Sequence, residues 1–203
     1  MVKIGVYEVR IMGEDLRIRR TKYSIKQSFL KMLEEKDMEH ITINEITQLA
    51  FCNRNTFYSH YEDKYDLIDK LCEESLKLLK VALKGLHEKK WNSPEELYLN
   101  ISGTCFELME EDMQFYNVVL GKNRYPVFAE RYKSAITEYI FENVKLDKKN
   151  MKAIKIEIEF ATNGLIGVHR YWLQNQEEYQ KEEILEISKN LIVGLGKIIF
   201  EEM

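Results

Sequence analysis

Residues 41–68, ITINEITQLAFCNRNTFYSHYEDKYDLI, constrain this chain more than any other stretch. Thr42 followed by Glu45 is a capping box, in which each side chain satisfies a backbone N–H at a helix start. Ile43, Ile46, Leu49 and Ala50 then recur at helical spacing and predict about two turns of helix with one apolar face. Phe51, Cys52 and Asn53 interrupt it, and Asn53 is a good N-cap for a second helix over about residues 54–60. Asp63 can cap a third that starts at Lys64 and continues through Leu67, Ile68 and Leu71.

The second helix has an unusual complement of side chains. It carries Arg54, Asn55, Thr56, Tyr58, Ser59 and His60, with Phe57 as its main apolar anchor. A buried helix would not hold so many hydrogen-bonding groups, and a merely solvated one would more often show Glu and Lys. Short donors and acceptors beside one Arg suit base edges and phosphates, and two short helices joined by a tight turn present them to the major groove. An ordinary surface helical hairpin is the other reading that spacing alone leaves open.

Over residues 17–69 the chain resembles the DNA-binding domain of the TetR/AcrR family of bacterial transcriptional regulators. The resemblance rests on the run Thr56-Phe57-Tyr58-Ser59-His60-Tyr61-Glu62-Asp63-Lys64-Tyr65-Asp66-Leu67, which keeps the family's spacing and residue types. It implies that Arg54, Asn55 and Thr56 face base edges or nearby phosphates, with Ser59 on the same polar helix. It further implies that Tyr58 and His60 hold the phosphate backbone, that Lys64 reinforces that grip, and that Thr42 meets a phosphate from the other side. Phe57 is read as core. The family usually has Gly where this chain has Phe51; if that position needs a positive φ, a Phe there costs on the order of 1–2 kcal/mol.

Local charge agrees with a nucleic-acid partner, although the whole chain is acidic, with 30 basic against 34 acidic residues. Residues 17–33 contain Arg17, Arg19, Arg20, Lys22, Lys26 and Lys31 and no acid. They open a helix running to about residue 36, with Ile25, Phe29, Met32 and Leu33 as its apolar stripe. Arg17, Arg19 and Arg20 are candidate phosphate contacts; Lys26 and Lys31 read equally well as a solvated face. Residues 1–16 are assigned to an N-terminal arm.

The remainder predicts helices only. Two prolines, nine glycines and abundant Leu, Ile, Glu and Lys point to an all-α fold of about nine helices. The expected organisation is a helix-turn-helix domain at 17–69 and a helical regulatory and dimerisation domain at 70–203. Predicted helices cover about 64–89, a segment opened by Ser93, Pro94 and Glu96, a short stretch from Asp112 to Gly121, then 126–143, 147–176 and 182–201. The helix from Lys64 would belong to both domains and serve as a lever between them. No run of about 18 apolar residues could span a bilayer, and no signal-peptide pattern appears. Cys52, Cys72 and Cys105 have no metal-ligand spacing, so no metal or cofactor is expected, and the chain reads as a cytoplasmic bacterial protein that joins the nucleoid when bound to DNA.

Two groups of residues in the second domain carry expectations. Gly164, Gly167, Ile184, Ile187, Leu191, Leu195 and Ile198 lie at three-to-four spacing or invite close backbone approach, and form a candidate homodimer surface; packing within one monomer is the alternative. Phe106, Met109, Phe115, Tyr116, Phe128, Tyr132, Phe160, His169 and Trp172 would line an apolar effector pocket, or form plain core. The segments at 160–173 and 115–121 are similar to the C-terminal domain of a TetR subgroup that includes regulators of dihydroxyacetone kinase operons. This implies a regulatory domain answering to a small molecule or to a partner protein.

An enzyme would need a catalytic constellation, and the sequence has no Gly-rich phosphate loop, no HExxH and no Cys or Ser beside a plausible base. The function expected is therefore a homodimeric, sequence-specific transcriptional regulator, a repressor acting on a palindromic operator. A helical adaptor that docks proteins, or a co-activator working through a partner, is the competing class.

Overall fold

The computed structural model describes residues 16–86, 91, 93–122, 125–146 and 150–195. Among them the fold is all-α, as expected, with helices α1 (Leu16–Glu35), α2 (Ile43–Leu49), α3 (Arg54–Tyr58), α4 (Lys64–Lys84), α5 (Pro94–Glu111), α6 (Met113–Tyr116), α7 (Pro126–Asn143), α8 (Met151–Gln174) and α9 (Lys181–Leu195). A 3-10 turn at Met38–His40 precedes α2, and Asn117–Gly121 winds as a π turn after α6. The chain divides into two compact units whose boundary falls inside α4, between Ser75 and Leu76. Residues 1–15 of the predicted N-terminal arm, Ile198 and the predicted helix ends near residues 89 and 201 lie outside the described residues, while Leu16, assigned to the arm from sequence, is the first residue of α1.

The first unit is built around α1. Ile25, Phe29, Leu30 and Leu33 repeat on one face and are fully buried, with Ile41, Ile46, Phe57, Leu67 and Ile68 completing the core. Helix α1 packs on α2, and α2 on α3. Ser24 Oγ donates to the Ala50 carbonyl across 3.0 Å, and Lys36 Nζ to Glu45 Oε1 across 2.6 Å. Phe57 meets the rings of Tyr58 and Tyr61 at centroid distances of 5.7 and 5.5 Å, so α3 is anchored by one side despite its length of five residues.

The turn between α2 and α3 has a definite hydrogen-bond pattern. The N–H of Cys52 donates to the Thr47 carbonyl and that of Phe51 to the Gln48 carbonyl, at 3.0 and 3.2 Å. This is the Schellman arrangement, in which the residue after the C-cap takes a left-handed backbone and is usually Gly. Phe51 occupies that position with φ 53°, so the positive angle anticipated from the sequence is present.

In the second unit α9 packs on α5 and α8, α7 packs on α8, and the π turn packs on both α7 and α8. Arg170 Nε donates to the Leu120 carbonyl at 3.1 Å, and Gln174 Nε2 to that of Gly121, so two side chains of α8 satisfy carbonyls of the π turn. A side chain at Gly121 would collide with Asn117, whose Oδ1 lies 2.6 Å from where Cβ would stand. The helix opened by Ser93 starts as predicted, with Ser93 Oγ accepting from the Glu96 N–H at 3.1 Å. Helix α8 is shorter than its periodicity implied: Met151 is its first residue and Gln174 its last, where the Asn175 N–H caps back onto the Trp172 carbonyl.

Candidate nucleic-acid interface

The interface begins with two local caps. Thr42 Oγ1 accepts from the Glu45 N–H at 3.3 Å, while Glu45 Oε2 accepts from the Thr42 N–H at 2.8 Å and from its hydroxyl at 2.7 Å. Lys36 is the largest influence on Glu45, and with Thr42 it holds that carboxyl far below the usual carboxylate range, at about 2. The start of α2 therefore stays capped and ionised over any ordinary pH. Asn53 caps α3: its Oδ1 accepts from the Thr56 N–H at 2.7 Å and the Thr56 hydroxyl at 3.0 Å.

With its first turn held this way, α3 sorts its side chains cleanly. Phe57 is sealed in the core, whereas Arg54, Asn55, Tyr58 and Ser59 are exposed. Thr56 and His60 are half-buried; the Thr56 hydroxyl is engaged by Asn53, and Ser59 Oγ donates to the Thr56 carbonyl at 2.8 Å. The helix ends at Tyr58, and beyond it the His60 N–H makes the tighter i→i−3 bond to the Phe57 carbonyl, at 3.0 Å. Arg54, Asn55 and Tyr58 are thus the larger side chains that α3 presents to solvent.

Lys64 sits differently from a simple surface cation. Its Nζ donates to the carbonyls of Glu39 and Ile41, at 3.1 and 2.8 Å. That places the first residue of α4 against the residue preceding Thr42, so the starts of α2 and α4 meet. The ammonium retains a third donor, and its two carbonyl bonds fix its position. Asp63 Oδ1 accepts from the N–H groups of Tyr65 and Asp66, both at 2.8 Å, which is the predicted cap of α4. Arg17 and Arg20 are exposed at the start of α1, and Arg19 is half-buried.

Sequence reasoning missed Lys36 and Lys70. Lys36 pairs with the capping Glu45, and Lys70 joins Asp66 to the His60 carbonyl, at 2.8 and 3.1 Å. The spacing of Asp66 and Lys70, four apart on one helix, was the available signal for the second.

In the second unit, Phe106, Met109, Phe115, Tyr116, Phe128, Tyr132, His169 and Trp172 are all buried. Edge-to-face contacts knit their rings together, among them Phe106 with Trp172 at 4.9 Å and Phe115 with Phe128 at 5.3 Å. Phe160, the remaining pocket candidate, is 63% exposed. It lines a groove of about 700 Å³ together with Tyr98, Gly164, Gly167, Tyr171, Ile184, Ile187 and Leu191. Five of the residues expected at a dimer surface therefore lie along one groove; Ile184 is buried in its wall, while Ile187 and Leu191 are exposed. Gly164 and Gly167 face open space, and Leu195 is the last residue of α9. No described helix is long and apolar enough to cross a membrane.

Residues 97–194 match a TetR C-terminal family whose description is "Transcriptional regulator C-terminal region". The chain is 26% identical over 197 residues to the HTH-type transcriptional regulator YxbF of Bacillus subtilis (strain 168), covering 89% of this chain and 48% of that protein. It thus spans about half the length of this relative. Among solved structures it is similar to a TetR transcriptional regulator from Streptococcus agalactiae 2603V, with a TM-score of 0.58 and 24% identity over 87% of this chain and 96% of that one. The dihydroxyacetone kinase operon activator DhaS gives a TM-score of 0.58 at 16% identity, covering 89% and 98% of the two chains.

Proposed function

We propose that this chain is a TetR-family transcriptional regulator that binds a palindromic operator as a homodimer and represses transcription until an effector releases or retunes it. The observation that carries this reading is α3, a helix with Phe57 sealed in the core and Arg54, Asn55 and Tyr58 turned to solvent. Arg and Asn pair bidentately with guanine and adenine edges in the major groove. The junction of Thr42 and Lys64 supplies polar groups for a flanking phosphate, and Arg17 and Arg20 add exposed basic charge in the same unit.

Dimerisation follows from the need for two reading helices, since twofold binding to one face of B-DNA requires them about one turn apart, roughly 34–36 Å. The groove edged by Gly164, Gly167, Ile187 and Leu191 supports α8 and α9 as the dimer face. Residues 17–69 would read DNA and residues 70–203 would dimerise and respond to the effector, in the cytoplasm. The effector, a small apolar or amphipathic molecule or a partner protein, acts by binding better to a dimer unsuited to the operator. The sign of regulation is set by where the operator lies relative to the promoter.

The test is fluorescence anisotropy with DNA upstream of this protein's own gene, against an unrelated duplex, at low and physiological salt. The expected result is tight, discriminating binding that collapses in a still-folded Arg54→Ala, Tyr58→Ala variant. Weak binding lost equally from every duplex as salt rises would mean charge alone, and would favour a helical adaptor that uses the α8–α9 groove to dock a protein.

A further inference from the structure

Phe51 is the most anomalous side chain in the first unit. It holds a left-handed backbone at φ 53° and is 95% exposed. A bulky residue with positive φ is an outlier, and glycine or asparagine fills this position of a Schellman turn without strain. The turn itself is over-determined by the Cys52–Thr47, Phe51–Gln48 and Ser24–Ala50 hydrogen bonds, none of which involves the Phe51 ring. The ring is strained by its backbone, gains almost nothing from packing, and exposes apolar surface to water. Strain of this kind is retained at sites that bind.

Position identifies the partner. Phe51 precedes the Asn53 cap by two residues and Arg54 by three, so its Cα lies at most about 11 Å from that of Arg54. The major groove is about 12 Å wide, and α3, with five residues, is about 7.5 Å long. When α3 lies in the groove, the turn before it comes to the groove wall, the sugar–phosphate strand. We infer that Phe51 is an affinity residue of the operator complex, laying its ring on an apolar edge of DNA, either a deoxyribose face of that strand or the methyl of a thymine whose base edge lies beside it in the groove. This inference rests on the DNA-binding reading of α3.

The signature is a trade between folding and binding. Replacing Phe51 by Gly or Asn relieves the backbone and removes the contact, so both Phe51→Gly and Phe51→Asn should melt about 1–3 °C higher than the parent. Both should bind operator about tenfold more weakly, the loss expected for a largely buried Phe, and Phe51→Tyr should retain parental affinity. Duplexes with each thymine replaced in turn by deoxyuridine test the methyl, and single ribonucleotides, which place a hydroxyl on the sugar, test the deoxyribose. One substitution in one of these sets should weaken the parent and leave Phe51→Gly unaffected.

Operator affinity equal to the parent in Phe51→Gly and Phe51→Asn overturns the inference, provided that Arg54→Ala has lost binding. Lower melting temperatures in both variants also overturn it, because the ring then serves the fold. If the parent itself shows no operator preference, the reading of α3 fails, and the role of Phe51 fails with it.

Discussion

Acidification from pH 7 to pH 5 should remove about 2 kcal/mol of stability through one side chain, His169. It has no exposed surface. Its Nε2 lies 3.2 Å from Ser102 Oγ, its ring stands edge-on to Phe106 at 4.8 Å and to Tyr132 at 6.4 Å, and its Nδ1 has no hydrogen-bond partner. None of these neighbours carries a charge that would hold an imidazolium, and burial pulls the pKa from its ordinary value near 6.5 to about 3.

The native state therefore refuses a proton that the unfolded chain accepts. Stability from this group is fully present above about pH 6.5 and drains as pH falls through the window from 6.5 towards 3. At pH 5 the unfolded histidine is about 1.5 pH units below its pKa, and at 1.36 kcal/mol per unit the loss is about 2 kcal/mol. The measurement is urea unfolding at pH 7 and pH 5 for the parent and for His169→Phe, which fills similar space without titrating. Subtracting the two pH differences cancels every other titrating group. The parent should lose about 2 kcal/mol more than the variant; equal losses would refute the argument that burial keeps His169 neutral.

Three further outcomes are expected. Asn53→Ala removes the acceptor for the Thr56 N–H and hydroxyl, so thermal unfolding should show a loss of about 1 kcal/mol, with weaker operator binding because α3 loses its start. Tyr58→Ala, at a side chain 47% exposed, should change the melting temperature little and lower operator affinity at least about tenfold in anisotropy; unchanged affinity would remove Tyr58 from the interface. Leu191→Asp, at a position 66% exposed, should leave helical content intact and shift the species seen in sedimentation velocity from dimer to monomer, whereas an unaltered dimer would place the interface elsewhere.

What the sequence determined by itself was chiefly the helix starts, which are held by interactions between near neighbours. The capping box of Thr42 and Glu45, the Asn53, Asp63 and Ser93 caps and the start of α7 at Pro126 all depend on groups within about three residues of one another. Helix starts are therefore legible in a linear string. So was the strain at Phe51, because a turn that normally takes Gly announces its backbone angle. The run around Thr56, Phe57 and Tyr58 indicated the candidate reading helix through its polar side chains and its resemblance to the TetR/AcrR family.

Only the tertiary structure decided what each helix face meets. Lys64 reads as a surface cation, yet its Nζ is committed to two carbonyls more than twenty residues earlier in the chain. Aromatic residues at helical spacing in α5, α7 and α8 fit a pocket or a core equally well; folding packs Phe106, Phe128, Tyr132 and Trp172 together and leaves Phe160 outside, beside Gly164. The π turn at Asn117–Gly121 likewise relies on Arg170 and Gln174, about fifty residues away. Periodicity places a side chain on a face, but what covers that face depends on contacts between segments that chain order does not bring together.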